Sequence, residues 1–213
     1  MIPAKDTQSR IYVSLTPGEN TMNESNNPSA IRSKKQITDA LLKLMEKYPY
    51  NEISVKQIVL EADLVRKTFY RNFDTKDDVL YSYIRSILID YFDVVNNAKS
   101  DVLTAIFAFA VNNKKLLLLL DKNDMLYVVL LCMNEFIPSL KEQQNPERNP
   151  FAVLFEGLDS DYLITLNTGG IWNVISLWVR RGMKDDPEDI KRTLSSYIRR
   201  LGSVQHIEKG TSL

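Results

Sequence analysis

The sequence predicts an all-α protein with an N-terminal three-helix unit and a larger helical body. Apolar residues recur at spacings of three and four along most of the chain, which is the period of an amphipathic helix. No segment shows the apolar–polar alternation that is typical of a half-buried strand. Two of the apolar stretches open with a serine followed three residues later by a glutamine, a pattern that indicates a helix N-terminus.

Residues 1–31 are predicted to be a disordered extension. Pro, Gly, Asn, Ser and Thr dominate this stretch, and no helical period appears in it. Met22 begins a segment that itself reads like a protein start, so we expect translation to begin there. The predicted organisation is therefore the extension at residues 1–31, the three-helix unit at residues 32–78 and the helical body at residues 79–205.

The first helix is predicted to begin at Ser33. Ser33 and Gln36 fit a capping box, in which the two side chains accept hydrogen bonds from backbone N–H groups of the first turn. Pro49 ends the helix, because proline cannot continue the helical hydrogen-bond ladder. One apolar face follows the cap and consists of Ile37, Ala40, Leu41, Leu44, Met45 and Tyr48.

The second and third helices are predicted to be short and joined by a tight turn. Ser54 and Gln57 form another capping box, after which a short apolar stripe runs up to the turn. The third helix spans about residues 65–72, and Phe69 and Phe73 anchor its inner face. Its outer face carries Arg66, Lys67, Thr68, Tyr70, Arg71 and Asn72.

The rest of the chain is predicted to be helical as well. Thr75 caps a long fourth helix whose apolar stripe continues to Val95. A polar loop with two prolines is predicted at residues 141–150. The further predicted helices cover residues 102–111, 116–120, 125–137, 151–158, 162–181 and 187–201.

The second and third helices together match a helix-turn-helix pattern, because the second helix of the pair is basic and polar on its outside. The major groove of double-stranded DNA admits one helix, and side chains near the start of that helix reach the base edges. Arginine and lysine can donate to guanine, and a tyrosine hydroxyl can donate to a phosphate. The pattern therefore predicts a protein that binds double-stranded DNA.

Residues 53–80 contain the block Thr68-Phe69-Tyr70-x-x-Phe73-x-x-Lys76-x-x-Val79-Leu80. This stretch resembles the DNA-binding signature of the TetR (tetracycline-repressor-like, TetR/AcrR) family of transcriptional regulators. The resemblance implies that Tyr70 and Lys76 hold DNA phosphates. It places Arg66, Lys67, Thr68 and Arg71 on the recognition helix, and Lys56, Gln57 and Asn72 complete the predicted DNA-contacting set.

The resemblance also implies a homodimer with one DNA-binding head per subunit, bound to an inverted-repeat operator. The last two long helices of each subunit would pair across a two-fold axis as a four-helix bundle. Residues 162–189 further resemble the C-terminal region of one branch of the family. The predicted dimer-interface residues are Gly169, Gly170, Trp172, Ile190, Leu194 and Tyr197, with a core position as the alternative for Trp172.

Two positions depart from the family pattern. Asp63 stands where the family usually has the glycine of the turn, and aspartate tolerates a left-handed backbone better than most residues do. Val65 stands where a serine or threonine often caps the recognition helix. We expect Asp63 to take over that capping role.

The body is expected either to hold a small apolar ligand or to be a plainly filled helical core. Aromatic residues and methionine are frequent between residues 107 and 155 and can line an apolar cavity. The predicted ligand-pocket residues are Phe107, Phe109, Tyr127, Met133 and Phe136.

The predicted function is that of a repressor that a small-molecule effector releases from its operator, with the fourth helix as the lever between body and head. The alternative is a regulator or activator of the same fold that responds to a protein co-regulator. An enzyme is not expected, because the sequence has no P-loop, no Gly-rich nucleotide turn and no nucleophile elbow. No cofactor and no metal are expected in a chain with one histidine and one cysteine.

The single cysteine excludes an intrachain disulfide and favours the cytoplasm. Cys132 lies in an apolar segment and is predicted to be a core residue. No apolar run approaches the ~20 residues of a membrane span, so no membrane partner is expected. Lys plus Arg and Asp plus Glu number 27 each, so any DNA-binding charge must be local.

Overall fold

The computed structural model describes residues 28–98, 102–139 and 160–209. Within these ranges the chain forms α-helices and a short 3₁₀ helix (Tyr50–Glu52), with no strand, so the all-α fold class is confirmed. The α-helices are α1 (Pro28–Met45), α2 (Val55–Glu61), α3 (Arg66–Asn72), α4 (Lys76–Ala98), α5 (Val102–Asn112), α6 (Lys114–Lys122), α7 (Tyr127–Ser139), α8 (Ser160–Arg180) and α9 (Pro187–Lys209). The predictions for Met22, for the loop at 141–150 and for the helix at 151–158 lie outside the described residues.

Helix α1 begins at Pro28 and not at Ser33. Ser33 lies inside the helix, where its Oγ donates to the carbonyl oxygen of Ser29 at 2.9 Å, so the predicted capping box is wrong. Residues 28–31, which the sequence assigned to a disordered extension, are helical. Proline suits the first helical position because its φ is already helical and an N–H there would have no partner in the helix. Periodicity gives no sign of this extra length, since residues 28–32 bury no apolar side chain.

Helices α1 to α3 and the first turns of α4 form the head, which encloses an apolar core. The predicted apolar face of α1 is buried, except that Tyr48 lies exposed beyond the helix end. The side chain of Phe69 on α3 is fully buried, and its ring centroid lies 6.2 Å from that of Phe73. Burying a phenylalanine contributes roughly 1.5–3 kcal/mol, so these two rings hold α3 against the head.

Helix α4 connects the head to the body without interruption. Its predicted cap is confirmed, because the N–H of Asp78 donates to Thr75 Oγ1 at 3.2 Å and the N–H of Thr75 donates to Asp78 Oδ2 at 2.7 Å. The predicted domain boundary between residues 78 and 79 falls inside this helix. Helix α4 therefore belongs to both parts of the molecule.

Helices α4 to α9 form the body. Helix α7 packs against both α4 and α8, and α9 packs against α5. The ring of Trp178 lies 5.8 Å from that of Phe107, and Trp178 Nε1 donates to the carbonyl oxygen of Asp185 at 3.0 Å. Cys132 is buried on α7, which confirms the core position predicted for it, and burial raises the pKa of its thiol to about 12.

No single helix in the described parts of the chain is long and apolar enough to cross a membrane. Helices α5 and α6 reach the required length and hydropathy only as a pair, and the pair is bent by 73°. On α5, the apolar side chains of Leu103, Phe107 and Phe109 lie buried in the body.

Candidate nucleic-acid interface

The turn between α2 and α3 is closed by two backbone hydrogen bonds. The N–H of Leu64 donates to the carbonyl oxygen of Val59 at 2.9 Å, and the N–H of Asp63 donates to that of Leu60 at 3.3 Å. This pair of bonds is a Schellman motif, which requires a left-handed residue directly after the helix cap. Asp63 fills that position with φ of +53°, so the prediction that aspartate can replace glycine in the turn is confirmed.

The start of α2 is fixed by the capping box that the sequence predicts. The N–H of Gln57 donates to Ser54 Oγ at 3.3 Å, and Gln57 Oε1 accepts from the N–H of Ser54 at 2.9 Å. Lys56 lies beside this cap and is exposed. The cap therefore occupies the amide oxygen of Gln57, one of the predicted DNA-contacting residues, while Lys56 points to solvent.

Helix α3 turns its basic side chains outward. Phe69 and Phe73 face the head core, whereas Arg66, Lys67 and Arg71 are exposed. No ion pair within the described residues involves any of these three cations. Their charge is therefore available to an anionic partner that approaches this side of the head.

Arg66 and Tyr70 form a joint polar group along one edge of α3. Arg66 Nη2 donates to the hydroxyl oxygen of Tyr70 at 3.3 Å, and the guanidinium carbon lies 5.6 Å from the centroid of the Tyr70 ring. Tyr70 remains exposed in this arrangement. Both side chains keep free donors, which is what a phosphate oxygen requires.

Two further predicted residues of α3 are less accessible. Thr68 and Asn72 are half-buried. Asn72 Nδ2 donates to the carbonyl oxygen of Thr68 at 2.7 Å, inside the helix. The structure therefore places them beside the exposed face and not at its centre.

The ammonium of Lys76 contacts backbone carbonyls within the head. Its Nζ donates to the carbonyl oxygens of Tyr50 at 2.6 Å and Ile53 at 2.8 Å, with Asn51 at 3.4 Å, and it sits 4.6 Å from the Tyr50 ring centroid. Burial lowers the pKa of Lys76, and the neighbouring Asp77 acts against that shift. In this geometry the ammonium stabilises the loop after α1, and its contact with a DNA phosphate stays a prediction.

Val65 begins the recognition helix without a cap. It is the N-cap residue of α3, with φ −84° and ψ 149°, and no side-chain hydrogen bond closes this end. Among the described hydrogen bonds, Asp63 accepts none from α3, so the capping role expected for Asp63 is not seen. Val65 itself is 67% exposed.

Comparison with known proteins identifies the head. Residues 37–82 match the sequence profile of the family described as bacterial regulatory proteins, tetR family. The head is therefore a TetR-type helix-turn-helix domain that binds DNA, and the resemblance noted for residues 53–80 is confirmed.

The likeness in fold reaches beyond the matched residues. The fatty acid degradation regulator FadR from Bacillus halodurans superposes on the regulator with a TM-score of 0.54, covering 78% of this chain and 94% of its own. The two sequences are 18% identical, so this likeness is one of fold alone. No curated protein matches the sequence of this regulator.

The body of the regulator contains a narrow apolar cavity between α4, α5, α7 and α8. Its volume is about 10 Å³, room for about one water molecule. The lining residues are Leu88, Tyr91, Ile106, Phe109, Met133, Trp172 and Ile175.

The predicted ligand-pocket residues are only partly brought together by this cavity. Phe109 and Met133 line it. Phe107 packs on Trp178 instead, and Tyr127 lies half-exposed near Asp77, where burial raises the pKa of its hydroxyl. The side chain of Phe136 lies outside the described residues.

The predicted dimer-interface residues divide between the core and the surface. Trp172 is buried and lines the cavity, which corrects its assignment to the interface. Ile190 and Leu194 are half-buried and pack against the core of their own subunit. Gly169, Gly170 and Tyr197 do reach the surface, and a Cβ added to either glycine meets no atom within 4 Å.

Sequence reasoning missed Tyr50 and Asn123, which join the head to the body. The N–H of Tyr50 donates to Asn123 Oδ1 at 2.9 Å, across 73 positions of sequence. Neither residue belongs to a motif or breaks a periodic pattern, so no signal in the sequence marks this contact.

Replacing Val65 by serine is expected to raise the free energy of unfolding by about 1 kcal/mol, because a serine oxygen at the N-cap accepts from an N–H group of the first turn. The backbone of Val65 already has the extended conformation that a cap needs. Chemical denaturation at one fixed protein concentration measures the change. Val111→Ser alters another exposed valine, inside α5, and serves as the control. Equal stabilisation by both substitutions would contradict the capping explanation.

Proposed function

We propose that this DNA-binding regulator is a homodimeric repressor that binds an inverted-repeat operator and is released from it by a small apolar effector. The observation that carries the DNA-binding part is the outward basic face of α3, held on a head core with Phe69 at its centre. The cytoplasm, where a bacterial chromosome lies, is the proposed place of action.

The proposed contacts follow from the positions of the side chains. Lys67 and Arg71 occupy the exposed side of the recognition helix and are proposed to donate to base edges in the major groove. Arg66 and Tyr70, joined along the helix edge, are proposed to bind a phosphate. Lys56 is proposed to reach the DNA backbone beside the start of α2.

Supporting contacts come from the less accessible members of the predicted set. The capping box uses only the amide oxygen of Gln57, so its amide nitrogen is proposed to donate to the DNA backbone. Thr68 and Asn72 flank the basic face and are proposed to add contacts there. Lys76 supports the head through the loop after α1, and a phosphate contact of its ammonium is proposed in addition to these carbonyl contacts.

Dimerisation is supported by an exposed apolar stripe on α8. Tyr162 is 78% exposed and Leu166 is 68% exposed, and Gly170 and Leu177 continue the same helix face. Large apolar side chains in a row on a surface favour a covered interface, and Tyr197 on α9 adds to it. A two-fold axis through α8 and α9 would present two heads to two half-sites.

The effector part is supported by the cavity of the body. Its lining is apolar, and Leu88 and Tyr91 on α4 form one wall. A ligand larger than one water molecule can enter only if the lining helices separate, and the proposed movement is that of α4 away from α7 and α8. Since α4 continues into the head, such a ligand shifts the population of head positions and lowers the affinity for the operator.

The alternative is control by a protein co-regulator, and the small cavity volume favours it.

Acyl chains are the first ligands to test, because FadR, of similar fold, is a regulator of fatty acid degradation. We expect fatty acids or their coenzyme A thioesters of increasing length to raise the unfolding temperature and to lower DNA affinity. Met133→Trp fills the cavity and is expected to remove both effects while DNA binding remains. An acyl series without any effect would favour the co-regulator.

Lys67→Ala and Arg71→Ala are each expected to relax base preference at particular positions and to weaken operator binding by roughly 1–3 kcal/mol, or about 5- to 150-fold. A site selected from random-sequence DNA by the purified protein provides the probe, and fluorescence anisotropy measures the affinity. Lys115→Ala removes an exposed lysine of α6 in the body and is the control. Losses no larger than those of Lys115→Ala would contradict the proposed recognition face.

Leu166→Glu and Leu177→Glu are expected to convert the dimer into monomers, because each places a charge in the proposed apolar seam. Sedimentation velocity measures the oligomeric state. Leu60→Glu changes a leucine that is 79% exposed on α2 and should leave the dimer intact. Dimers that persist in both α8 variants would place the interface on another surface.

A further inference from the structure

The end of α6 is bonded to the loop that follows α1. Asn123 Oδ1 accepts from the N–H of Tyr50 at 2.9 Å, and Asn123 Nδ2 donates to the carbonyl oxygen of Met45 at 3.2 Å. Next to it, Lys122 Nζ donates to the carbonyl oxygen of Glu46 at 2.6 Å. The body thus holds the backbone of the head at both ends of residues 45–50.

Asn123 is itself held rigidly. Its Nδ2 also donates to the carbonyl oxygen of Leu119 at 2.9 Å, which fixes the orientation of the amide. Asp124 follows in the left-handed conformation, with φ of +57°, and the N–H of Met125 donates to the carbonyl oxygen of Leu120 at 2.8 Å. A helix end closed in this way leaves little freedom to the side chain at its cap.

Helix α4 holds the same loop from the other side. Lys76 Nζ bonds the carbonyl oxygens of Tyr50 and Ile53, and the hydroxyl of Tyr50 donates to Asp77 Oδ1 at 2.5 Å. The side chain of Tyr50 is buried. The loop is therefore clamped between the first turn of α4 and the last turn of α6.

We propose that Asn123 is a positioning residue that sets the orientation of the DNA-binding head on the body. A single continuous helix allows the head to swing by bending, and a second attachment away from its axis removes that freedom. Asn123 supplies this attachment through bonds to backbone atoms on both sides of the loop. The inference rests on the proposed function, because the orientation of a head matters when two heads must meet two half-sites of fixed spacing.

The test measures how affinity depends on half-site spacing. Duplexes carry two copies of the selected half-site, and their separation is varied by single base pairs. Wild-type protein is expected to prefer one spacing by about 10-fold or more, and Asn123→Ala to reduce this preference to about 3-fold or less. Binding to a duplex with a single half-site should not change, because Asn123 lies outside the recognition face.

Asn113→Ala is the matched control. Asn113 lies at the opposite end of α6, and its Nδ2 also donates to a carbonyl four residues earlier, that of Phe109, at 2.9 Å. Among the described residues Asn113 makes no hydrogen bond to the head, so the spacing profile of the Asn113→Ala variant should match that of wild-type protein. Lys122→Ala is a second test variant and is expected to flatten the spacing profile in part. Because Lys122 is exposed, this variant can still be measured if Asn123→Ala folds poorly.

The outcomes separate the two proposals. A sharp wild-type profile that remains unchanged in Asn123→Ala and Lys122→Ala overturns the positioning role and leaves the proposed function intact. A proportional loss of affinity at every spacing would reveal lower stability only, and it also overturns the positioning role. A flat wild-type profile overturns the paired-head proposal and the inference with it. Flattening confined to Asn123→Ala and Lys122→Ala supports the inference.

Discussion

The DNA-binding face depends on the burial of Phe69. A helix as short as α3 (Arg66–Asn72) is not stable alone in water, so its side chains acquire fixed directions only through packing. With Phe69 and Phe73 held in the head core, helical geometry leaves Lys67 and Arg71 on the opposite side. The recognition surface is thus a consequence of which residues are inside, and its charge follows from what remains outside.

Much of the fold could be predicted from the sequence because burial enforces a period. The apolar face of α1 from Ile37 to Met45 and the cap at Ser54 follow from local rules, and the structure has both. Ser33 shows where such rules fail. A serine followed by a glutamine fits a capping box, but the same pair also occurs inside a helix that begins earlier, at Pro28. The prediction for Asp63 is confirmed, because the turn closes whenever the residue at this position can adopt a positive φ.

Less of the site could be predicted, since its polar contacts join residues that are distant in sequence. The partners of Lys76 are backbone carbonyls on the loop after α1, and carbonyls carry no sequence signal. For Trp172 the sequence leaves the subunit interface and the core open, because the direction of a helical side chain is set by tertiary packing, and in the structure Trp172 is buried. Asn123 had no pattern to reveal it.

The continuity of α4 has a consequence for modular exchange of domains between regulators. No linker separates the head from the body, so a chimaera must be joined inside a helix, where the phase of one hundred degrees per residue fixes the rotation between the parts. The grafted head would also expose the N–H of Tyr50 and the carbonyl oxygen of Met45, unless the new body offers an amide at the place of Asn123. Compatibility of a foreign body therefore depends on the side chains at the end of its matching helix, as well as on the join.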